Sequence, residues 1–147
     1  WIARRTAFAH FCGGERLAEC VDTAKALSAR GVRCIVDWSA EEKEDEAAWD
    51  ENAWRKAELL SVAYSALGDS AAFVPIKLTS LVSPSLLERV AAASGGDPFV
   101  EEDRLGLSAE DKRRLAEAVN RLASICEAAR DGPALLLDAE QSQRQPA

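Results

Sequence analysis

Leu135-Leu136-Leu137-Asp138-Ala139-Glu140 is an apolar run that stops abruptly in two acids. Successive side chains of an extended strand point to opposite faces, so Asp138 and Glu140 share one face. An earlier run, Phe73-Val74-Pro75-Ile76-Lys77-Leu78-Thr79, is equally apolar and carries its single charge, Lys77, toward its end. Strands that are greasy throughout and charged only at their carboxyl ends belong to parallel sheets covered on both faces. The pattern predicts an α/β fold: a partial (βα)8 TIM-like barrel whose site lies at the carboxyl ends of its strands. A complete barrel takes about 250 residues. The 147 residues here accommodate at most half of one, about four βα units with parallel strands.

Working outward, residues 6–11 are short, aromatic and apolar and run into Gly13-Gly14, which reads as a first strand and a tight turn. Leu17, Cys20, Val21, Ala24 and Leu27 recur at helical spacing, and Gly31 follows as a C-terminal cap. Residues 34–38 read as a second strand, so the unit is a parallel crossover with a very short return. Residues 41–46 are too acidic to pack. A helix over 47–66 then buries Trp54, Ala57, Leu60, Ala63 or Tyr64, and Leu67. Pro75 has no N–H for a ladder, so a bulge or a missing neighbour is expected in the third strand. Ser83 and Pro84 are cap and first turn of a helix reaching Ala93. Residues 94–107 form a variable loop. Ser108 and Asp111 resemble a capping box, followed by a stripe of Leu115, Ala118, Val119, Leu122, Ile125, Cys126 and Ala129. The whole chain, 1–147, is taken as one incomplete barrel domain with an acidic insertion at about 41–51.

The net charge of −7 argues against a surface that tracks nucleic-acid phosphates. Cys12, Cys20, Cys34 and Cys126 form no CxxC pair, and with one histidine they read as free buried thiols rather than a metal site. No apolar stretch approaches the roughly 20 residues of a membrane span. The absence of an initiator Met reads as a processed or partial piece.

Side-chain parity sets Lys77 and Thr79 on one face of strand three, and Asp138 and Glu140 on one face of strand four. If both faces turn inward, a cation and a carboxylate meet at the rim of a partly dry cavity and hold a small zwitterion. An architectural salt bridge is the competing role for Lys77 and Asp138. Asp37 ends a strand and either orients a ligand or holds Lys77. Glu41 opens a charged, solvent-facing run. His10 is a hydrogen-bonded rim residue or a proton shuttle. No dinucleotide fingerprint or phosphate loop is present. The four tryptophans, Trp1, Trp38, Trp49 and Trp54, pack helices on the sheet or anchor a partner.

Four blocks in order, Thr6-Ala7-Phe8-Ala9-His10-Phe11-Cys12-Gly13-Gly14-Glu15, Gly31-Val32-Arg33-Cys34-Ile35-Val36-Asp37-Trp38, Phe73-Val74-Pro75-Ile76-Lys77-Leu78-Thr79 and Leu137-Asp138-Ala139-Glu140-Gln141, resemble the first half of the catalytic barrel of mitochondrial, FAD-dependent proline dehydrogenases. The resemblance implies oxidation of L-proline to Δ1-pyrroline-5-carboxylate, with electrons passing to a membrane quinone, on the matrix side or inner membrane of the mitochondrion. By position, Lys77 would bind the substrate carboxylate, Asp138 would shape the pocket and its ion-pair network, and Glu41 would belong to a gate, with Asp37 in the same network. The main flavin contacts are expected beyond Ala147, so this piece alone is expected to be inactive. The family's aromatic pair after the fourth block is replaced by Gln143-Arg144. The alternative implied is an inactive barrel fragment serving as a structural or accessory subunit of a large mitochondrial assembly.

Overall fold

The computed structural model describes residues 3–38, 43–97, 99–139, 141 and 144. Among them, three parallel strands form one sheet in the order β1 (Cys34–Ile35), β2 (Ala71–Ile76) and β3 (Ala134–Leu137). Between β1 and β2 runs a long helix, Glu46–Leu67. Between β2 and β3 run two more, Pro84–Ser94 and Ala109–Ala128. With α1 (Ala9–Phe11) and α2 (Leu17–Ser28) ahead of the sheet, these three are α3, α4 and α5. The sheet is open rather than closed, a mixed α/β arrangement with three strands where four were expected.

The missing strand is the first. Residues 6–11 are helical, as a π-turn over Arg4–Phe8 running into α1. A helix satisfies its own backbone, whereas a strand needs a neighbour's ladder, and β1 offers only two paired residues. Ala7 and Ala9 also favour helix over strand. Its side chains stand in solvent, Phe11 being 81% exposed.

The shortness of β1 follows from Pro75. Val36 N–H donates to Phe73 O and Asp138 N–H donates to Ile76 O. In a parallel ladder alternate residues serve opposite neighbours, so the position of Pro75 faces β1. The rung after Phe73 needs an N–H that proline lacks, and β1 stops after Ile35, with its register already shifted between Cys34 and Ile35. Of the two alternatives expected at Pro75, the structure shows the lost neighbour on the β1 side; the register irregularity lies earlier, opposite Ala71 to Phe73.

Val74 and Ile76 are buried on the helix side of β2, against Leu60, Ala63 and Leu67 of α3 and Ile125 of α5. Each such side chain contributes about 1.5–3 kcal/mol when fully buried. A second cluster of Val82, Leu86, Leu87 and Val90 takes in Leu105 and Leu107, so residues 94–107 are partly packed, with a 3-10 turn at Glu102–Leu105. As expected, Ser83 caps α4 by accepting from Leu86 N–H, and Ser108 caps α5 by accepting from Asp111 N–H.

The buried face of α3 differs from the expected apolar stripe, whereas that of α5 largely follows it. Along α3 the inward line is Trp49, Asn52, Ala53, Lys56, Leu59, Leu60, Ala63 and Leu67, while Trp54 is 60% and Tyr64 54% exposed. Two polar residues on the true inward line disguise it. On α5 Ile125 is buried and Leu115, Ala118, Leu122 and, at its C-cap, Ala129 pack against the two clusters, with Arg121 buried beside them, while Val119 and Cys126 face solvent. The cysteines are free, but none is buried: Cys12 and Cys126 are exposed and the other two half-buried. Among the described residues, no helix is long and apolar enough to cross a membrane.

Candidate functional site

Residues 73, 75 and 77 alternate along the strand with Val74 and Ile76, so they lie on the opposite sheet face, where Pro75 is buried and Phe73 exposed. The register pairs Phe73 with Ala134, Pro75 with Leu136 and Ile76 with Leu137. Lys77 and Asp138 are the next positions of the two strands, and they fall on that same open face. There Lys77 Nζ stands 3.9 Å from Asp138 Oδ2, the two side chains being 24% and 42% exposed. That separation gives Coulomb attraction but is too long for a hydrogen bond. Ile35, Phe73 and Leu136 present apolar surface on this side, 58%, 40% and 41% exposed. A carboxylate ligand would find a cation, a compensating acid and an apolar floor.

The other residues singled out from the sequence fall elsewhere. β2 ends at Ile76, and Thr79 belongs to a 3-10 turn, Leu78–Ser80, so strand parity does not carry it to the face of Lys77. The adjacent Ser80 contacts Lys77 instead: its N–H and Oγ–H both donate to Lys77 O, at 3.0 and 2.7 Å. Asp37 accepts from Lys56 Nζ at 3.0 Å. The buried ammonium of Lys56 thus claims one oxygen of the Asp37 carboxylate, an ion pair at the end of β1. His10 lies on α1, exposed, edge-on to Phe11 with ring centroids 4.6 Å apart. Glu41, Glu140 and Gln143 lie outside the described residues. Arg144 is half-buried and pairs with Glu88 at 2.8 Å.

Several polar residues escaped the sequence reading. Asn52 Nδ2 donates to Ser80 O at 2.9 Å. Lys56 Nζ also donates to Trp38 O at 3.2 Å. Arg121 donates to Asp50 Oδ1 at 2.7 Å and to Leu81 O at 3.1 Å. The available signal was spacing: Trp49, Asn52 or Ala53, Lys56, Leu60, Ala63 and Leu67 make an unbroken helical line once polar residues are admitted to it.

Among the described residues of the acidic stretch after β1, Glu44 and Glu46 are bonded rather than free in solvent. Glu44 accepts from Ser85 N–H at the first turn of α4. Glu46 pairs with Arg113 at 2.7 Å and Arg114 at 3.2 Å. Partial burial pushes the Glu44 carboxyl up, but hydrogen bonds from Ser83 and Ser85 and the charge of Arg114 outweigh it and hold it below 4.5. The Arg113 hydrogen bond, then its charge and that of Arg114, do the same for Glu46 against some desolvation. A carboxyl depressed in the folded state contributes stability above its unfolded value, and that contribution is lost as pH falls through the folded value. The unfolding midpoint in urea should therefore drop on acidification below about 4.5, less steeply in Glu44→Gln. A Glu44→Gln profile superimposable on the unmodified one would contradict the assigned contacts.

Among the described residues no group of three or more His, Cys, Asp or Glu side chains is placed to hold a metal ion. Fold and rim together define an open α/β sheet with charge at the carboxyl ends of adjacent parallel strands.

The chain is distantly homologous to proteins of named function. It is 32% identical over 141 residues to carbapenem antibiotics biosynthesis protein CarD of Pectobacterium carotovorum subsp. carotovorum, covering 93% of the chain and 33% of that protein. It is 26% identical over 172 residues to mitochondrial proline dehydrogenase 2 of Arabidopsis thaliana, covering 99% of the chain and 36% of the enzyme. Mitochondrial proline dehydrogenase 1 of the same plant matches at 24%, over 99% of the chain and 34% of the enzyme. The chain thus spans about a third of the length of the curated relatives it matches. No family model matches it, and no solved structure matches it significantly.

Proposed function

We propose that the described chain is by itself a catalytically inactive barrel fragment, and that it serves as one wall of the substrate cup in a longer protein that oxidises L-proline to Δ1-pyrroline-5-carboxylate. The observation carrying this reading is the Lys77–Asp138 pair, 3.9 Å apart on an open sheet face at adjacent strand ends. Lys77 attracts the substrate carboxylate. Asp138 tempers the lysine charge and faces the ring ammonium, and Phe73 and Leu136 exclude water from the ring carbons. The distant homology to proline dehydrogenases supports the choice of substrate.

FAD is the cofactor this reading calls for, supplying the two-electron acceptor. The described residues do not fit the whole group. A pyrophosphate asks for converging backbone donors or several cations, whereas the open face described here pairs its Lys77 with an acid and is otherwise apolar. We therefore assign this chain substrate binding and orientation, and the flavin contacts to the remainder of the longer protein. Under the same proposal electrons leave to a quinone of the inner mitochondrial membrane, with the protein on its matrix side.

The test is to purify the full-length protein containing this chain and add L-proline without oxygen. Bleaching of the visible flavin absorbance is expected. Colourless protein, or colour that L-proline leaves unchanged, would overturn the enzymatic part. A second reading, a structural subunit of a larger mitochondrial assembly, is favoured by the exposure of Ile35, Phe73 and Leu136. Size fractionation of native extracts separates the two, since a lone monomer is incompatible with the assembly.

A further inference from the structure

We infer that Asn52 is a positioning residue for Lys77, acting through Ser80. This rests on the reading of Lys77 as the substrate-carboxylate group and adds the device that fixes it. β2 ends at Ile76, and the carbonyl of the next residue, Lys77, accepts two bonds from Ser80, at 3.0 Å from the amide and 2.7 Å from the hydroxyl. Ser80 is 4% exposed, and its own carbonyl accepts from Asn52 Nδ2 at 2.9 Å. The relay therefore runs from the body of α3, through one buried serine, to the residue carrying the ammonium.

Two further donors make the same kind of contact. Lys56, one turn along α3, holds the end of β1 at Asp37 and Trp38 O. Arg121 of α5 donates to Leu81 O. Asn52, Lys56 and Arg121 are 9%, 5% and 8% exposed. Buried amides and cations are costly where apolar side chains would fill the same space. All three nonetheless reach main-chain carbonyls just past the carboxyl ends of β1 and β2, the end that carries Lys77 and Asp138. A binding constellation loses function when its groups stray by about 0.5 Å, and this set of donors restricts such drift.

The test uses the full-length protein with Asn52→Leu, which keeps the volume and removes the donor, with Ser80→Ala, which removes only the hydroxyl bond, and with the double variant. Each single change is expected to raise KM for L-proline about tenfold, with kcat and flavin content within about twofold, and the double variant to be no worse than the worse single. Unchanged KM in Ser80→Ala, or effects that multiply in the double variant, would overturn the relay. A readout that needs no turnover separates this from failure of the enzymatic reading. After reductive methylation with 13C-formaldehyde, the Lys77 signal, assigned with Lys77→Arg, should shift in Asn52→Leu and in Ser80→Ala. A Lys77 signal unmoved in folded Ser80→Ala defeats the inference even if L-proline is oxidised. A shifted signal in a protein inert to L-proline defeats the enzymatic reading and leaves the relay standing.

Discussion

Trp49→Ala is expected to destabilise the folded chain by about 3–5 kcal/mol, the range for emptying a buried aromatic site. Trp49 is 1% exposed at the start of α3. Its Nε1–H donates to Lys43 O at 2.7 Å, tying the segment after β1 to the helix. The guanidinium of Arg121 lies 5.6 Å from its ring centroid, and that arginine also holds Leu81 O. Alanine would leave a cavity, strand the Lys43 carbonyl and remove the surface on which Arg121 lies. Urea unfolding should show a large fall in midpoint with little change in slope. Trp54→Ala, on the exposed side of the same helix, should change stability by only about 0.5 kcal/mol. Equal losses at the two tryptophans would mean that the inward face of α3 is wrongly assigned.

Lys77→Ala in the full-length protein is expected to weaken L-proline binding by about 10- to 150-fold, the equivalent of losing one charge-assisted hydrogen bond of about 1.5–3 kcal/mol. Flavin content should not change, because the contacts of Lys77 lie at the strand ends and the cofactor is held elsewhere under this proposal. Steady-state KM, kcat and the flavin-to-protein ratio are the measurements. Parallel loss of flavin and of proline affinity would make Lys77 a brace of the fold, with Asp138 its structural partner.

What the sequence made legible was whatever local chemistry decides. Ser83-Pro84 and Ser108 cap helices because their hydroxyls accept nearby N–H groups at the helix start whatever the rest of the chain does. The runs at 71–76 and 134–137 are strands because apolar, β-rich segments flanked by turns have few other ways to be buried. Pro75 announced an interruption that the structure places on the β1 side. Residues 6–11 were illegible because a short apolar run fits helix or strand equally, and the choice depends on a neighbouring edge far along the chain. The inward line of α3 was hidden by Asn52 and Lys56, whose burial makes sense only beside the carbonyls of Trp38 and Ser80. For the site, parity brought Lys77 and Asp138 to one face. It misplaced Thr79 because the strand ends before it, and the backbone partners of Asn52, Lys56 and Arg121 are a tertiary matter that spacing alone does not reveal.

The central claim is that the ammonium of residue 77 receives the carboxylate of a cyclic amino acid at the open end of the sheet. A crystal structure of the full-length protein with a non-oxidisable proline analogue tests it most directly. The account predicts an analogue carboxylate oxygen within about 3 Å of the Lys77 Nζ, with the ring over Phe73 and Leu136. An analogue bound elsewhere, with the amine of residue 77 still beside Asp138, would contradict it.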